Sequence, residues 1–166
     1  MNLIVAVDKK WGIGKKNDLL FHLKKDMKHF VEYTSGKTVV MGSNTLLSFP
    51  GSKPLKNRVN IVLWPGGKDV EGAIICQTLD EVFAKIKEYN PEDVFIVGGA
   101  MMYRTMLPYC DKAYITKVDA DGEAEVFFEN LDSLDNWTLE AQDEYIEDEG
   151  YMISFCTYVN KSPKAY

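Results

Sequence analysis

Little in this sequence suits a secreted or membrane-spanning chain. Only three of its 166 residues are cysteine. Cys76, Cys110 and Cys156 are too widely spaced for a disulfide framework or a zinc pattern, which fits buried or half-buried thiols in a reducing cytoplasm. No run of about 18 apolar residues exists, so no transmembrane helix is expected. The first residues, MNLIVAVDKK, lack the basic leader, apolar stretch and small-residue cleavage site of a secretory signal, and a cytoplasmic location is expected. Histidine is scarce. His22 and His29 have no partner at metal-ligand or triad spacing, so neither is assigned a catalytic role and no metal site is expected. The six-residue dinucleotide fingerprint and the Walker pattern are both missing.

Basic residues also vanish from one long stretch. Between Asp119 and Glu149 there are 13 Asp or Glu residues and no Lys or Arg, which reads as a solubilising acidic face. Residues 1–118 are left with 17 basic against 12 acidic groups, a mildly cationic portion that would welcome a phosphate-bearing ligand. The net charge of −6 and the lack of a dense basic stripe disfavour a nucleic-acid binder.

What is present is ordinary globular composition, 46% hydrophobic and 27% charged, with no repeat or linker. A single domain over residues 1–166 is expected. The runs Leu3–Val7, Thr38–Met41, Val59–Leu63, Ala73–Ile75 and Val94–Val97 are short, β-branched and nearly continuous, as in strands of a parallel sheet covered on both faces. Leu23, Met27, Phe30 and Val31 fall on one face of a helix spanning Leu23–Thr34. Thr78-Leu79-Asp80-Glu81 reads as a capping box opening a helix that Pro91 ends. A third helix is predicted from about Ala100 to Leu107, stopping before Pro108. Ala113–Val118, Trp137–Tyr145 and Tyr151–Val159 read as strands, with Asp148-Glu149-Gly150 as a turn. The predicted fold class is α/β: a mostly parallel central sheet of about eight strands, an antiparallel C-terminal hairpin and about four flanking helices.

Several residues suit chemistry, each with a plainer reading beside it. Asp26 borders the apolar face of its helix, where a partly desolvated carboxyl could hold a cationic or protonated nitrogen; an acid in a first turn also simply complements the helix dipole. Trp11-Gly12-Ile13-Gly14 suits a loop packing over a flat ligand, or an ordinary turn. Val97-Gly98-Gly99-Ala100 and Met41-Gly42-Ser43-Asn44-Thr45 are strand-to-helix junctions whose N–H groups could face a pyrophosphate, or tight turns without a ligand. Arg58, at the entry to a strand, could clamp a carboxylate; a surface arginine is the alternative.

Together these pieces resemble the dihydrofolate reductase family, bacterial type. The matching features are Ile4-Val5-Ala6, Trp11-Gly12-Ile13-Gly14, Asp26 with Phe30, Lys37-Thr38-Val39-Val40-Met41-Gly42 with Thr45, Pro54-Leu55 with Arg58, Val97-Gly98-Gly99 with Tyr103, and Thr116. They keep the family's order and spacing over nearly the whole chain. The resemblance implies NADPH-dependent reduction of 7,8-dihydrofolate to tetrahydrofolate, by hydride transfer to pterin C6 and protonation of N5, in a monomer that diaminopyrimidine-type antifolates could engage. It assigns a catalytic part to Asp26, Thr116 and the Phe21 position. It implies a substrate pocket of Ile4, Val5, Leu19, Met27, Phe30, Phe49, Leu55, Val97 and Tyr103, with Arg58 on the glutamate tail. Cofactor contacts would come from Ala6, Ile13, Gly14, Gly42, Ser43, Asn44, Thr45, Leu63, Trp64, Gly98, Gly99, Ala100, Met101, Met102 and Tyr103.

The chain departs from the family's usual pattern at several positions. Ser43 stands where arginine is common, Trp64-Pro65 where Ser or Thr is common, and Met101 where a basic residue is common. These positions help recognise the cofactor 2′-phosphate, so reduced discrimination against NADH is expected. Leu20-Phe21 replaces the usual Pro-Trp, which removes an indole N–H near the pterin edge. Two alternatives stand beside the folate reading: a pteridine or pyrimidine reductase sharing the fold, and a binding protein that kept the fold and lost turnover.

Overall fold

The structure is a computed structural model that describes residues 1–16 and 18–166. Asn17, inside the loop expected from Trp11 to Leu23, lies outside the described residues. In chain order the elements are β1 (Asn2–Val7), β2 (Gly12–Lys15), β3 (Asp18–Leu19), α1 (Lys24–Thr34), β4 (Thr38–Gly42), α2 (Ser43–Ser48), β5 (Val59–Leu63), β6 (Ala73–Cys76), α3 (Leu79–Ile86), β7 (Val94–Gly98), α4 (Ala100–Met106), β8 (Lys112–Val118), β9 (Val126–Phe127), β10 (Trp137–Gln142), β11 (Ile146–Asp148) and β12 (Tyr151–Asn160). Short 3₁₀ turns cover Pro50–Ser52, Pro91–Asp93, Leu107–Tyr109 and Leu131–Ser133.

Among the described residues the main sheet has the order β10-β12-β8-β1-β7-β4-β5-β6, with β11 also paired to β12. From β8 to β6 every pairing is parallel; β12 runs antiparallel to β8, β10 and β11. The nearly continuous apolar runs have a simple cause, since both faces of the central strands are covered. Leu3, Val40, Ile61 and Ile96 meet Val82 and Ile86 of α3 and Met102 and Met106 of α4 on one face. Their neighbours Ile4, Val39, Val62 and Phe95 meet Leu46 of α2 and Phe30 and Tyr33 of α1 on the other. This is the period-2 alternation of strands. Each fully buried branched side chain contributes about 1.5–3 kcal/mol by leaving water. Cys76, Cys110 and Cys156 are all buried and free.

The architecture matches the expected fold class, and several boundaries differ. Gly12-Ile13-Gly14 is strand rather than loop: β2 pairs with β3 and β9 in a separate small sheet. The glycine at position 12 answers to the protein itself, because a Cβ there would overlap Ala124 Cβ and approach both Asp8 carboxylate oxygens to 2.9 Å. The strand expected over Trp137–Tyr145 ends at Gln142, and a separate strand begins at Ile146. The register shifts between Leu139 and Ala141, and the buried Ser154 hydroxyl donates to the Asp143 carbonyl at 2.7 Å, which draws the chain out of the ladder. Asp148 belongs to β11, so the turn is Glu149-Gly150 alone.

The helices also differ at their ends. Thr78 caps α3, its side chain accepting from the Glu81 N–H at 3.2 Å, while the Glu81 carboxylate reaches back to the Gln77 N–H. The helix stops at Ile86, well before Pro91. After α4 the chain tightens into a 3₁₀ turn that includes Pro108 instead of stopping before it. On α1 the apolar stripe is only partly inside: Met27 is 55% exposed and Val31 42%. Leu23 is buried and Phe30 packs on the sheet, so the stripe is covered at those positions and open at Met27 and Val31.

Candidate active site

Ligands in open α/β sheets bind beyond the carboxyl ends of the parallel strands, and one group of the sequence-derived candidates is brought together on the α1 face of the sheet. The helix α1 crosses one face of the sheet and brings Asp26 to β8, where the Thr116 hydroxyl donates to Asp26 Oδ1 at 2.7 Å. Thr116 is buried and Asp26 half-buried. Burial raises the Asp26 pKa above the usual carboxylate range; the nearby Asp148 charge adds to the rise and the Thr116 hydrogen bond opposes it. A carboxyl in this state sits between its charged and neutral forms more readily than a surface acid does.

Ile4, Phe30, Phe49, Leu55 and Val97 lie together on the α1 face of the sheet. Val97 is bulged out of the ladder, since Val40 pairs with Ile96 and Met41 with Gly98. Leu55 and Arg58 are held by a polar clamp. The buried Asn60 side chain accepts from the Leu55 N–H at 3.0 Å and donates to the carbonyls of Leu55 at 2.9 Å and Arg58 at 3.2 Å. The Arg58 guanidinium carbon stands 5.9 Å from the Phe30 ring centre. Its Nε is buried and has no hydrogen-bond partner among the described residues, and burial lowers its pKa. A desolvated cation with an orphaned N–H is suited to an incoming carboxylate.

Other candidates lie elsewhere. Val5, Ile13, Leu63, Met102 and Tyr103 belong to the core on the opposite face, because neighbours such as Ile4 and Val5 must point apart. The Tyr103 hydroxyl donates to the Ile4 carbonyl at 2.9 Å, and burial raises its pKa. Phe21 stacks edge-on against Tyr151 at 4.8 Å, in a small cluster with Leu23, Val118 and Ile153. Leu19 is 58% exposed and Met101 51%; Ala6, Gly14, Gly42, Ser43, Thr45, Trp64, Gly99 and Ala100 are half-buried, Asn44 is exposed and Gly98 is buried. His29 lies half-buried and nearly parallel to the Phe155 ring at 3.9 Å, and burial lowers its pKa.

The two glycine junctions meet at the ends of adjacent strands β4 and β7. Gly98 has φ +140°, and a Cβ there would approach Thr45 Oγ1 to 2.9 Å. Neither α2 nor α4 has a side-chain cap on its first N–H groups, whereas α3 does. Uncapped helix starts at strand carboxyl ends fit a pyrophosphate, so these residues are compatible with a dinucleotide cofactor.

Sequence reasoning passed over two buried carboxylates. Asp8 accepts from the N–H groups of Lys10 at 2.8 Å and Gly12 at 2.7 Å through Oδ1, and of Gly122 at 3.0 Å through Oδ2. It ties the Trp11 segment to the acidic loop, helped by Glu125, which accepts from the Lys16 N–H at 2.8 Å. An Asp four residues before a glycine is a local turn signal that could have exposed it. Asp148 accepts from the N–H groups of Lys25 at 2.9 Å and Asp26 at 3.2 Å, and no local pattern announces it.

Comparison with known proteins accords with this geometry. A family model described as dihydrofolate reductase matches residues 1–160. The dihydrofolate reductase of Bacillus subtilis is 33% identical over 165 residues, covering 98% of this chain and 95% of that protein. The Staphylococcus haemolyticus dihydrofolate reductase is 35% identical over 153 residues, covering 90% and 87%. A solved structure of dihydrofolate reductase from Enterococcus faecalis, complexed with NADP(H) and RAB-propyl, superposes with a TM-score of 0.85 at 30% identity, covering 97% of this chain and 96% of that one.

Proposed function

The chain belongs to the dihydrofolate reductase family of oxidoreductases, and on that premise we propose that it reduces 7,8-dihydrofolate to 5,6,7,8-tetrahydrofolate with NADPH. The observation that carries this reading is the half-buried Asp26 carboxyl, held by Thr116 on the same apolar wall that ends at an unpaired Arg58. A pterin with a glutamate tail has a polar ring edge for the first group and a carboxylate for the second.

In this mechanism Asp26 hydrogen-bonds the pterin amino group and ring nitrogen, and Thr116 holds the carboxyl in orientation. Phe30, Phe49, Leu55, Ile4 and Val97 exclude water from the ring, while Arg58 binds the tail carboxylate. The helix starts after Gly42 and Gly99 would hold the cofactor pyrophosphate. NADPH supplies the hydride when bound. Asp26 does not hand its proton to N5 directly. Its charge beside the heterocycle raises the basicity of N5, and water delivers the proton. The Trp11 segment, tied down through Asp8 and Glu125, limits bulk water over the ring. Diaminopyrimidine-type antifolates compete for the Asp26 carboxylate, which accepts hydrogen bonds from their amino groups.

The cofactor preference is weaker than usual for the family. Ser43, Trp64 and Met101 place no cation where the 2′-phosphate would be read, and Lys53, Lys56 and Lys68 are exposed. A charge-assisted hydrogen bond contributes about 1.5–3 kcal/mol, so losing two reduces discrimination by roughly a hundredfold or more. The test is the fall in absorbance at 340 nm on mixing the protein with NADPH and dihydrofolate, repeated with NADH. Folate-dependent oxidation is expected with both. No oxidation with dihydrofolate refutes the activity, and decay only with a ribityl-pyrimidine substrate transfers the chain to the pyrimidine reductases.

A further inference from the structure

We propose that Asp148 is a positioning residue for Asp26, holding from the C-terminal hairpin the helix start that carries the catalytic carboxyl and setting a negative charge beside it. The proposal rests on the reading of Asp26 given above and assigns the part of its environment that lies outside the substrate pocket.

The first turn of α1 is poorly made by its own residues. Its N-cap, Leu23, offers no side-chain hydrogen bond. Lys24 and Lys25 put two positive charges at the end where the helix dipole is already positive. The tertiary structure supplies what is missing. Asp148 is 2% exposed, and its Oδ2 accepts from the N–H groups of Lys25 at 2.9 Å and Asp26 at 3.2 Å. Its neighbours hold the two lysines: the Lys25 ammonium donates to the Glu147 carbonyl, and Lys24 lies 3.7 Å from Glu149.

These contacts close a ring. Asp26 is held at its backbone by Asp148 of β11 and at its side chain by Thr116 of β8. Both strands pair with β12, through Asp148↔Tyr151 and Thr116↔Phe155. One strand thus sets the distance between the two anchors of the same aspartate. The arrangement also places a second negative charge beside Asp26. The charged and titratable groups around the pair are Lys24, Lys25, Glu147, Glu149 and, from α4, Tyr103.

Three variants of the full chain separate position from charge. In Asp148→Asn the amide oxygen still accepts both N–H groups, but the charge is gone. The ¹³C NMR titration midpoint of the Asp26 carboxyl in the ligand-free protein is expected to fall by about half a pH unit or more. Its single-turnover hydride transfer should stay within about twofold of wild type at the pH optimum, with the rate profile displaced in the same direction. Asp148→Ala removes the cap as well, and about a tenfold loss in hydride transfer is expected. Glu71→Gln, an exposed position before the far edge strand β6, should leave both measurements unchanged.

An unmoved Asp26 titration in Asp148→Asn overturns the proposal. So does an Asp148→Ala variant that melts earlier yet keeps the wild-type titration and rate, since Asp148 would then be a structural cap alone. If Asp148→Ala does not fold, Asp148→Asn decides. A wild-type protein that fails to oxidise NADPH with dihydrofolate defeats the catalytic reading, and the ligand-free titration still reads the hold of Asp148 on Asp26.

Discussion

Replacing Arg58 with methionine is expected to strengthen the fold while weakening the enzyme. The guanidinium Nε is buried and unpartnered, a desolvation cost of about 1–3 kcal/mol. The Phe30 ring 5.9 Å away returns about 0.5–1 kcal/mol of cation–π attraction. A methionine of similar reach removes both effects and keeps apolar contact with Phe30, for a net stabilisation of about 1 kcal/mol. For a chain of this size that raises Tm by roughly 2–4 °C. On the proposed function the same change would remove a charge-assisted, bidentate contact to the substrate tail, about 1.5–3 kcal/mol, so kcat/KM for dihydrofolate is expected to fall roughly tenfold to a hundredfold, through KM. Steady-state kinetics with dihydrofolate and with a dihydropterin lacking the glutamate tail isolate the effect, because only the tailed substrate should lose affinity. Equal losses with both substrates, or a lowered Tm, refute the assignment of Arg58 to the tail.

Asp26→Asn should slow hydride transfer at neutral pH with partial recovery on acidification, and should stabilise the protein. The folded-state pKa of Asp26 is raised, so the folded state holds this proton to higher pH than the unfolded chain does. Stability is therefore lost as pH climbs from the unfolded value through the folded one, and the Tm advantage of the asparagine variant should be larger at pH 7.5 than at pH 4. In Gly12→Ala, the added methyl meets Ala124 and the Asp8 carboxylate. A loss of about 1–3 kcal/mol in urea unfolding is expected, and unchanged stability would show that β2 has room to move. Ser43→Arg should raise the ratio of kcat/KM for NADPH over NADH by about tenfold or more; an unchanged ratio would remove position 43 from 2′-phosphate recognition.

Much of the fold was legible because its signals are short-range. Val59–Leu63 is the same strand in sequence and structure, since an unbroken β-branched run can be buried on both faces only in a covered sheet. The Thr78–Glu81 cap was likewise readable from three residues of spacing. Other features escaped where the deciding partner is remote. The strand expected over Trp137–Tyr145 stops at Gln142, where the remote Ser154 hydroxyl binds the next carbonyl, and nothing in the earlier segment announces it. The exposure of Met27 and Val31 was hidden because a helix stripe left partly uncovered has the same period as one fully buried.

The sequence by itself determined the core parallel strands, the helices between them and the type of sheet, and its family resemblance named the residues now proposed to meet a pterin, a tail carboxylate and a pyrophosphate. These follow from local periodicity, turn chemistry and residue type, together with the family resemblance those residues carry. The tertiary structure alone decided which of those residues share a surface. It separated Ile4 from Val5, left the Arg58 Nε without a partner, and brought Asp148 to the helix start beside Asp26. The physical reason is that desolvation and charge coupling act over a few ångströms of space, whatever the separation along the chain.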